Sequence, residues 1–270
     1  MKNNVSVNGK HTIPAVNKAL ELVRVLAEEE GETTTKALAI RLGVPRTTCY
    51  RILRSLVGRD WVRPVDGGRH VLSLGLLPLM KPLQQVGHLA ETVRPALEWL
   101  AAQAQMTAKV SVRQGDYAVA IARCESPQQT SVAVRIGASF HLAFGSSGAV
   151  LLSGLEEAAV QDILKRAPAE CWAHQATADV WKRLKELQAK GWCADVGTYR
   201  QSINAISAPL RDTRSGVLAV MTLIGFSHEL PPERLAAQAK LLSEAARRAE
   251  KELLAIGSPR GPAKTTKAGK

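Results

Sequence analysis

The chain has 270 residues, 46% hydrophobic and 22% charged, with 36 Lys and Arg against 24 Asp and Glu, a net charge of +12. That much apolar content excludes a mostly disordered polyelectrolyte, and the length allows one large domain or two ordinary ones. No run reaches the roughly 18 apolar residues of a spanning helix, Met1 to His11 lacks the apolar core of a secretory signal, and four Cys at 49, 124, 171 and 193 are too scattered for a disulfide scaffold, so a soluble cytoplasmic protein with reduced thiols is expected.

Pro14 opens a helix along which Val16, Leu20, Val23 and Leu26 or Ala27 recur at helical spacing, and Gly31 ends it. A short second helix runs from about Thr35, with Ala37, Leu38, Ile40 and Leu42 on an apolar side, Thr residues to cap it and Gly43 to stop it. Pro45 opens a third, with Thr48, Ile52, Leu53 and Leu56 facing inward and Arg46, Thr47, Tyr50, Arg51 and Arg54 left outside. Two short helices joined at Gly43-Val44 form a helix-turn-helix, with 45–58 as recognition helix. From Trp61 to Leu74 the period changes: Val62, Val65, Val71 and Leu72 flank Asp66-Gly67-Gly68, which predicts a hairpin with Arg63, Arg69 and His70 at its tip. A hairpin placed there, over 62–72, is a wing.

Charge supports that reading. Residues 1–87 carry +6, residues 88–256 only +2 and residues 257–270 another +4. Between 41 and 69, Arg41, Arg46, Arg51, Arg54, Arg59, Arg63 and Arg69 face only Asp60 and Asp66. Concentrated positive charge points to a polyanion, and the forked guanidinium suits phosphates and guanines. An outward Arg in the major groove can pair with guanine while Thr methyls meet thymine. The candidate DNA-binding residues are Thr35, Pro45, Arg46, Thr47, Thr48, Tyr50, Arg51, Arg54, Arg63, Arg69 and His70, with double-stranded operator DNA as partner. The bland alternative is a trihelical protein-binding module with an incidental Arg surface.

Further on, 76–88 is read as a linker helix and 88–105 as an amphipathic helix with Leu89, Val93, Leu97, Leu100 and Ala101 on one face. Ala108 to Arg113, Tyr117 to Cys124 and Thr130 to Ile136 predict an antiparallel meander. Helices follow at about 147–153, 156–166 and 177–189, then strands at Ile203 to Leu210 and Gly216 to Gly225, and a closing helix from Pro231 to about Leu254. This order argues an α+β domain with one sheet. At Gly145-Ser146-Ser147-Gly148 a loop enters a helix, where unpaired N–H groups attract anions. Ser146, Ser147 and Gly148 are therefore candidate effector contacts, with Asp195, Asn204, Ser207 and Thr222 as polar wall and Tyr199 and Arg200 beside them. Phe140, Leu142 and Val134 are either wall or core. An ordinary helix start with structural polar residues is the alternative.

The run Ala37-Leu38-Ala39, Arg41-Leu42-Gly43-Val44-Pro45-Arg46-Thr47-Thr48, Tyr50-Arg51-Ile52-Leu53 and Leu56, with Val71-Leu72-Ser73-Leu74-Gly75, resembles the isocitrate lyase regulator (IclR) family of bacterial transcription regulators. Val134-Arg135-Ile136-Gly137, His141-Leu142 and Gly145-Ser146-Ser147-Gly148-Ala149-Val150-Leu151-Leu152 are similar to that family's Gly-rich loop and helix. Gly191-Trp192, Asp195 and Ile206-Ser207-Ala208-Pro209-Leu210-Arg211-Asp212 resemble the stretch ending in its Ala-Pro-Val strand. The resemblance covers about 13–255 and implies a winged helix-turn-helix, a connecting helix and a GAF-like α+β effector domain. It further implies dimers or tetramers that answer to small metabolites, often carboxylates. Two places depart from the pattern: the family's acidic cluster is reduced to Asp195, followed by Val196, Gly197 and Thr198, and Ala205 stands where Cys is common.

The expected organisation is a flexible 1–12, a winged helix-turn-helix over 13–75, the linker helix, an effector-binding domain over 89–255 and a basic tail over 256–270. From Gly257 that tail is rich in Pro, Gly and Lys and expected to be disordered. Self-association as a homodimer or dimer of dimers is expected, because one helix in one groove reads too few bases. An enzyme is disfavoured: Ala149 breaks the Gly-x-Ser-x-Gly spacing around Ser147, and no suitably ordered Asp and His follow. Cys171 and His174, with Cys193 further on, fall short of a four-ligand zinc site, so neither metal nor cofactor is expected. An architectural DNA-binding protein without a ligand would not need the near-neutral second half.

Overall fold

A computed structural model describes residues 13–28, 33–212 and 216–256 of the chain, which divides into two units, Met1–Gln84 and Gln85–Lys270. The expected flexible segment 1–12, the helix stop at Gly31 and the tail from Gly257 lie outside the described residues.

The first unit contains α1 (Pro14–Glu28), β1 (Thr33–Thr34), α2 (Thr35–Leu42), α3 (Arg46–Val57), β2 (Val62–Val65) and β3 (Arg69–Leu72). Its core is Leu22, Val25, Leu26, Leu38, Ala39, Leu42, Cys49, Leu53, Leu56 and Val62. The α2 helix starts where the Thr34 hydroxyl accepts the Ala37 N–H at 3.2 Å. It stops at Gly43, whose φ of +61° lets Gly43 N–H reach the Ile40 carbonyl and Val44 N–H the Ala39 carbonyl, both at 3.1 Å.

Two helices present different faces from those expected. In α3 the buried stripe is Cys49, Leu53 and Leu56, an i, i+4, i+7 row, while Thr48 is exposed and Ile52 half-buried. Cys behaves here as a small hydrophobe and sets the helix rotation. In α1 the buried residues are Leu22, Val25 and Leu26, whereas Val16 and Leu20 are exposed with Ile13. The wing has a third strand: β1 pairs with β3, which lies between β1 and β2.

Residues 76–88 do not form one linker helix. Turns of 3-10 helix at Leu74–Leu76 and Lys81–Leu83 bracket the single-turn α4 (Leu77–Met80), and α5 (Gln84–Ala104) begins only afterwards. Pro78 and Pro82 lack the N–H groups that a continuous helix would use there.

The second unit is one antiparallel sheet in the order β6-β5-β4-β9-β8-β7. The strands are β4 (Thr107–Gln114), β5 (Tyr117–Cys124), β6 (Ser139–His141), β7 (Cys193–Arg200), β8 (Ile203–Asp212) and β9 (Gly216–Phe226). The remaining helices are α6 (Gly145–Leu152), α7 (Glu157–Lys165), α8 (Thr177–Lys190) and α9 (Leu235–Ile256). The expected strand Thr130–Ile136 is irregular despite its β-branched residues. The edge of β5 is instead taken by β6, which pairs Tyr117 to Val119 with His141 to Ser139. The strand β7 was not expected. Pro209, which has no N–H to offer, sits in β8 beyond the end of β7, whose pairing stops at Cys193 opposite Ser207.

Pleating sorts the sheet into two faces. Ala108, Val110, Ile206, Ala208, Leu210, Met221 and Leu223 form a core with α5 and α9. The opposite face, which packs Ala118, Cys193 and Val220 with α6, α7 and α8, also carries a polar row: Lys109 opposes Thr222, Thr222 opposes Ser207, and Ser207 opposes Cys193. The α6 helix passes so close to its own entry loop that a Cβ at Gly148 would stand 2.0 Å from the Leu142 carbonyl oxygen. Gly148→Ala should therefore destabilise this unit by about 2 kcal/mol or more, the order of an overpacked core, visible as a lowered melting temperature. An unchanged melting curve would mean that α6 can slide off the loop.

Candidate nucleic-acid interface and ligand site

The outward face of α3 is fixed by its buried one. With Cys49, Leu53 and Leu56 turned in, Arg46, Thr47, Thr48, Tyr50, Arg51 and Arg54 are exposed, as is Pro45 ahead of them. Half-buried Thr35, at the start of α2, joins Arg46, Thr47, Tyr50 and Arg51 around one open hollow. Among the described residues no carboxylate lies within ion-pair reach of Arg46, Arg51, Arg54 or Arg63. Arg41 differs from them, since its guanidinium is 3.8 Å from Glu28.

On the wing, Arg63 and Arg69 share a face, because Arg63 pairs with Val71 and Arg69 with Val65. Arg69 is pinned at the turn by donating from Nε to the Asp66 carbonyl at 2.9 Å. His70 is not a cation at the tip. It lies on the central strand opposite Thr33 and Pro64, on the face that also carries Val62 and Leu72, with Nδ1 buried and unpartnered. Burial holds its imidazole below the usual histidine range, so it is mainly neutral at pH 7.

In the second unit the polar row is closed by α6. Ser146 Oγ lies 2.8 Å from Ser207 Oγ, and Ser147 Oγ lies 2.8 Å from Thr222 Oγ1 and 3.4 Å from Ser207 Oγ. Ser207 and Thr222 are themselves 2.9 Å apart. These four hydroxyls thus bond one another and fasten α6 to the centre of the sheet. Gly148 supplies the close approach rather than a contact. Asn204 is not part of the group: it is three residues from Ser207, so the pleat turns it to the α9 side, where Nδ2 donates to the Leu230 carbonyl at 2.9 Å.

Asp195 does belong here. It is buried, its Oδ2 accepts the Tyr199 N–H at 3.4 Å, and Oδ1 has no partner. A Cβ at Gly145, where φ is +61°, would come within 3.2 Å of Oδ2, so the entry to α6 is built against this carboxyl. Burial pushes the Asp195 carboxyl up, against the opposing pull of Arg183 and the Tyr199 and Thr198 N–H groups.

Sequence reasoning missed Lys109. It lies on β4 in the polar row, is 7% exposed, and holds its ammonium 4.3 Å from the Phe140 ring centroid. Phe140 is 6.4 Å from Tyr199, and Tyr199 stands edge-on to Phe144 at 5.1 Å. The signal was present as the alternation Thr107, Lys109, Ser111, Arg113 against Ala108, Val110, Val112, which alone reads as a solvent face. Cys171 is buried, its thiol pushed up to about 11 by burial, and His174 is exposed.

Residues 15–66 match the IclR helix-turn-helix domain, and residues 83–250 match the C-terminal domain of the bacterial transcriptional regulator IclR. Similar proteins include the HTH-type transcriptional repressor AllR of Klebsiella pneumoniae, 22% identical over 237 residues, or 86% of this chain and 87% of the relative. AllR of Escherichia coli strain K12 is also 22% identical, over 86% of this chain and 88% of its own. Of solved structures, IclR from Thermotoga maritima aligns with a TM-score of 0.69 at 16% identity, over 88% of this chain and 98% of that one. An IclR homolog from Microbacterium hydrocarbonoxydans complexed with 4-hydroxybenzoate aligns with a TM-score of 0.67 at 16% identity, over 89% and 99%. The expected fold, a helix-turn-helix domain followed by an α+β domain, is the fold these structures share.

The raised Asp195 pKa has a definite sign. Its folded form holds the proton more tightly than the unfolded chain does, so its contribution is favourable at acid pH and is lost as pH rises through the folded pKa. Asp195→Asn should consequently gain stability over the unaltered chain on going from pH 4 to pH 7.5, measured as the difference between their melting temperatures. A pH-independent difference would contradict a perturbed carboxyl.

Proposed function

Because the chain belongs to the IclR family of ligand-responsive, DNA-binding bacterial transcriptional regulators, we propose that α3 and the wing read its operator and that the α6 side of its sheet senses a small organic or aromatic acid. The observation that carries the first part is the α3 surface: Arg46, Arg51 and Arg54 point outward with no carboxylate partner among the described residues, and Thr47, Thr48 and Tyr50 stand between them. A helix with that face fits the major groove, where Arg51 can pair in a fork with guanine and the Thr methyls can meet thymine. Arg63 and Arg69 of the wing supply backbone contacts that position without specifying. Repression is the favoured outcome, in line with the AllR relatives, which are named repressors. For the effector, a homolog complexed with 4-hydroxybenzoate supports a small acid, and the buried polar groups beneath α6 are where it would enter. Action in the cytoplasm follows from an operator as target; among the described residues no helix is long and apolar enough to cross a membrane.

Self-association as a homodimer or dimer of dimers completes the proposal. Ile13, just ahead of α1, and Val16 and Leu20 on it form one exposed row, 65%, 49% and 58% exposed, and Leu74, Leu77, Leu79, Met80 and Leu83 are exposed in the broken linker. That much uncovered apolar surface favours a second copy. Leu20→Glu should shift the sedimentation coefficient toward monomer and lower operator affinity; a species unchanged in size would reject the α1 row as an interface.

Binding sites selected from random duplex DNA provide an operator for the main test. Arg51→Ala is expected to cost about 1 to 3 kcal/mol on the selected site and little on random DNA, whereas Arg69→Ala weakens both alike and reduces the salt slope by about 1. Equal losses on both DNAs for both variants would refute the division between specifying helix and positioning wing.

A further inference from the structure

We propose that Lys109 is the anion anchor of the effector site, a buried ammonium that takes the single carboxylate of an acid whose planar body lies against Phe140, Phe144 and Tyr199. This rests on reading the α6 side of the sheet as the ligand site and names the group that selects its ligand.

A cation held away from water is costly unless something compensates it. Lys109 is 7% exposed, and among the described residues it has no carboxylate or hydrogen-bond acceptor, only the Phe140 ring. The fold does not demand a lysine there: Val220 on β9, opposite Ser111 on this same face, is apolar and packs with α6, α7 and α8. Burial lowers the ammonium pKa to about 8, so it still carries its charge at pH 7.

Other groups on this side are also unsatisfied. Ser111 Oγ, two residues along β4 on the same face, has no partner, nor does Asp195 Oδ1 on β7. The hydroxyls of Ser146, Ser147, Ser207 and Thr222 are by contrast engaged with one another, which makes them fasteners of α6 and leaves the anion to Lys109. Valence follows from charge. Of the two buried cations on this side Arg183 already acts on Asp195, so Lys109 is left to balance one negative charge, and a dianionic phosphate would leave a second charge buried without compensation. The ring of Phe140 lies beneath the ammonium, with Tyr199 6.4 Å beyond it and Phe144 5.1 Å from Tyr199; Tyr199 is 45% exposed and forms the outer side of that frame.

The test is calorimetric titration of the full chain with benzoate, 4-hydroxybenzoate, phenylacetate and pyruvate, each beside its neutral amide, and with inorganic phosphate. At least one acid should bind about tenfold or more tightly than its amide, and phosphate should not compete. Lys109→Met should reduce binding of that acid about tenfold or more, leave the amide unchanged, and melt no lower than the unaltered chain without ligand, since it removes an uncompensated charge; Lys109→Arg should restore part of the affinity. If acid and amide bind alike, or Lys109→Met binds the acid as before, the anchor is overturned while a ligand site remains. If no acid and no amide binds, the anchor falls together with the reading of the site. The acid-to-amide ratio is measured on the unaltered chain and stands even if a variant fails to fold.

Discussion

Along the centre of the six-stranded sheet, side chains that would ordinarily face water are covered by a helix, and the second unit is organised around that constraint. Thr222, Ser207 and the α6 residues Ser146 and Ser147 meet out of solvent, and Lys109 lies next to Thr222 in the same row. A hydroxyl hydrogen bond contributes only about 1 kcal/mol net, but an unmet buried hydroxyl costs about 1 to 3 kcal/mol. Mutual bonding among the four hydroxyls therefore matters mostly for the penalty it avoids. It also dictates geometry: α6 must come near enough for hydroxyl contact, and Gly148 must have no Cβ against the Leu142 carbonyl for that approach to exist. The groups left unsatisfied nearby, Ser111 Oγ and Asp195 Oδ1, are the ones this closure does not reach. Buried polar atoms are nearly always paired in folded proteins, so each unpaired one calls for its own explanation, as do Asn204 Oδ1 and Gln238 Oε1 on the α9 side.

The first unit meets the opposite requirement, keeping its charge outside a small core. Ten residues from three helices and β2 form that core, and the rotation of α3 about its axis follows from which of its residues enter it. With Cys49 inside, Thr48 moves out to join Thr47 and Arg51; with Thr48 inside, the Thr pair would be split. A one-residue choice in the hydrophobic stripe thus decides the chemistry offered to a groove.

What could be read in the sequence was local. Capping by Thr34, the stop at Gly43 and the Asp66-Gly67-Gly68 turn each depend on residues a few positions apart, and all were visible. The misreadings need partners far along the chain. Thr130–Ile136 has strand-forming residues, yet β6 occupies the edge of β5; the two-residue β1 exists only because β3 lies beside it. Asn204 and Ser207 lie on one strand expected to border the Gly-rich loop, yet an odd spacing on a strand turns the two to opposite faces. Lys109 was hidden for a deeper reason. Alternating polar residues on a strand signify water until a helix from elsewhere covers them, and no feature of β4 announces that α6 will pack against it.

In the proposed function both units meet anions with cations, under different dielectric conditions. The arginines of α3 stand in water, where two unit charges about 4 Å apart gain only about 1 kcal/mol and salt screens them within roughly 10 Å. Affinity there must be summed over several residues, and discrimination must come from the forked geometry of Arg51 or Arg46 rather than from charge. Lys109 is largely out of water, where the same separation is worth about 4 kcal/mol at an effective dielectric near 20 and salt screens it much less. One residue is then enough, because a neutral ligand of the same shape would leave the buried ammonium as uncompensated as it stands in the empty fold. A surface that reads a polyanion needs many weak cations, whereas a site that recognises one small acid is best served by a single cation shielded from most of the water.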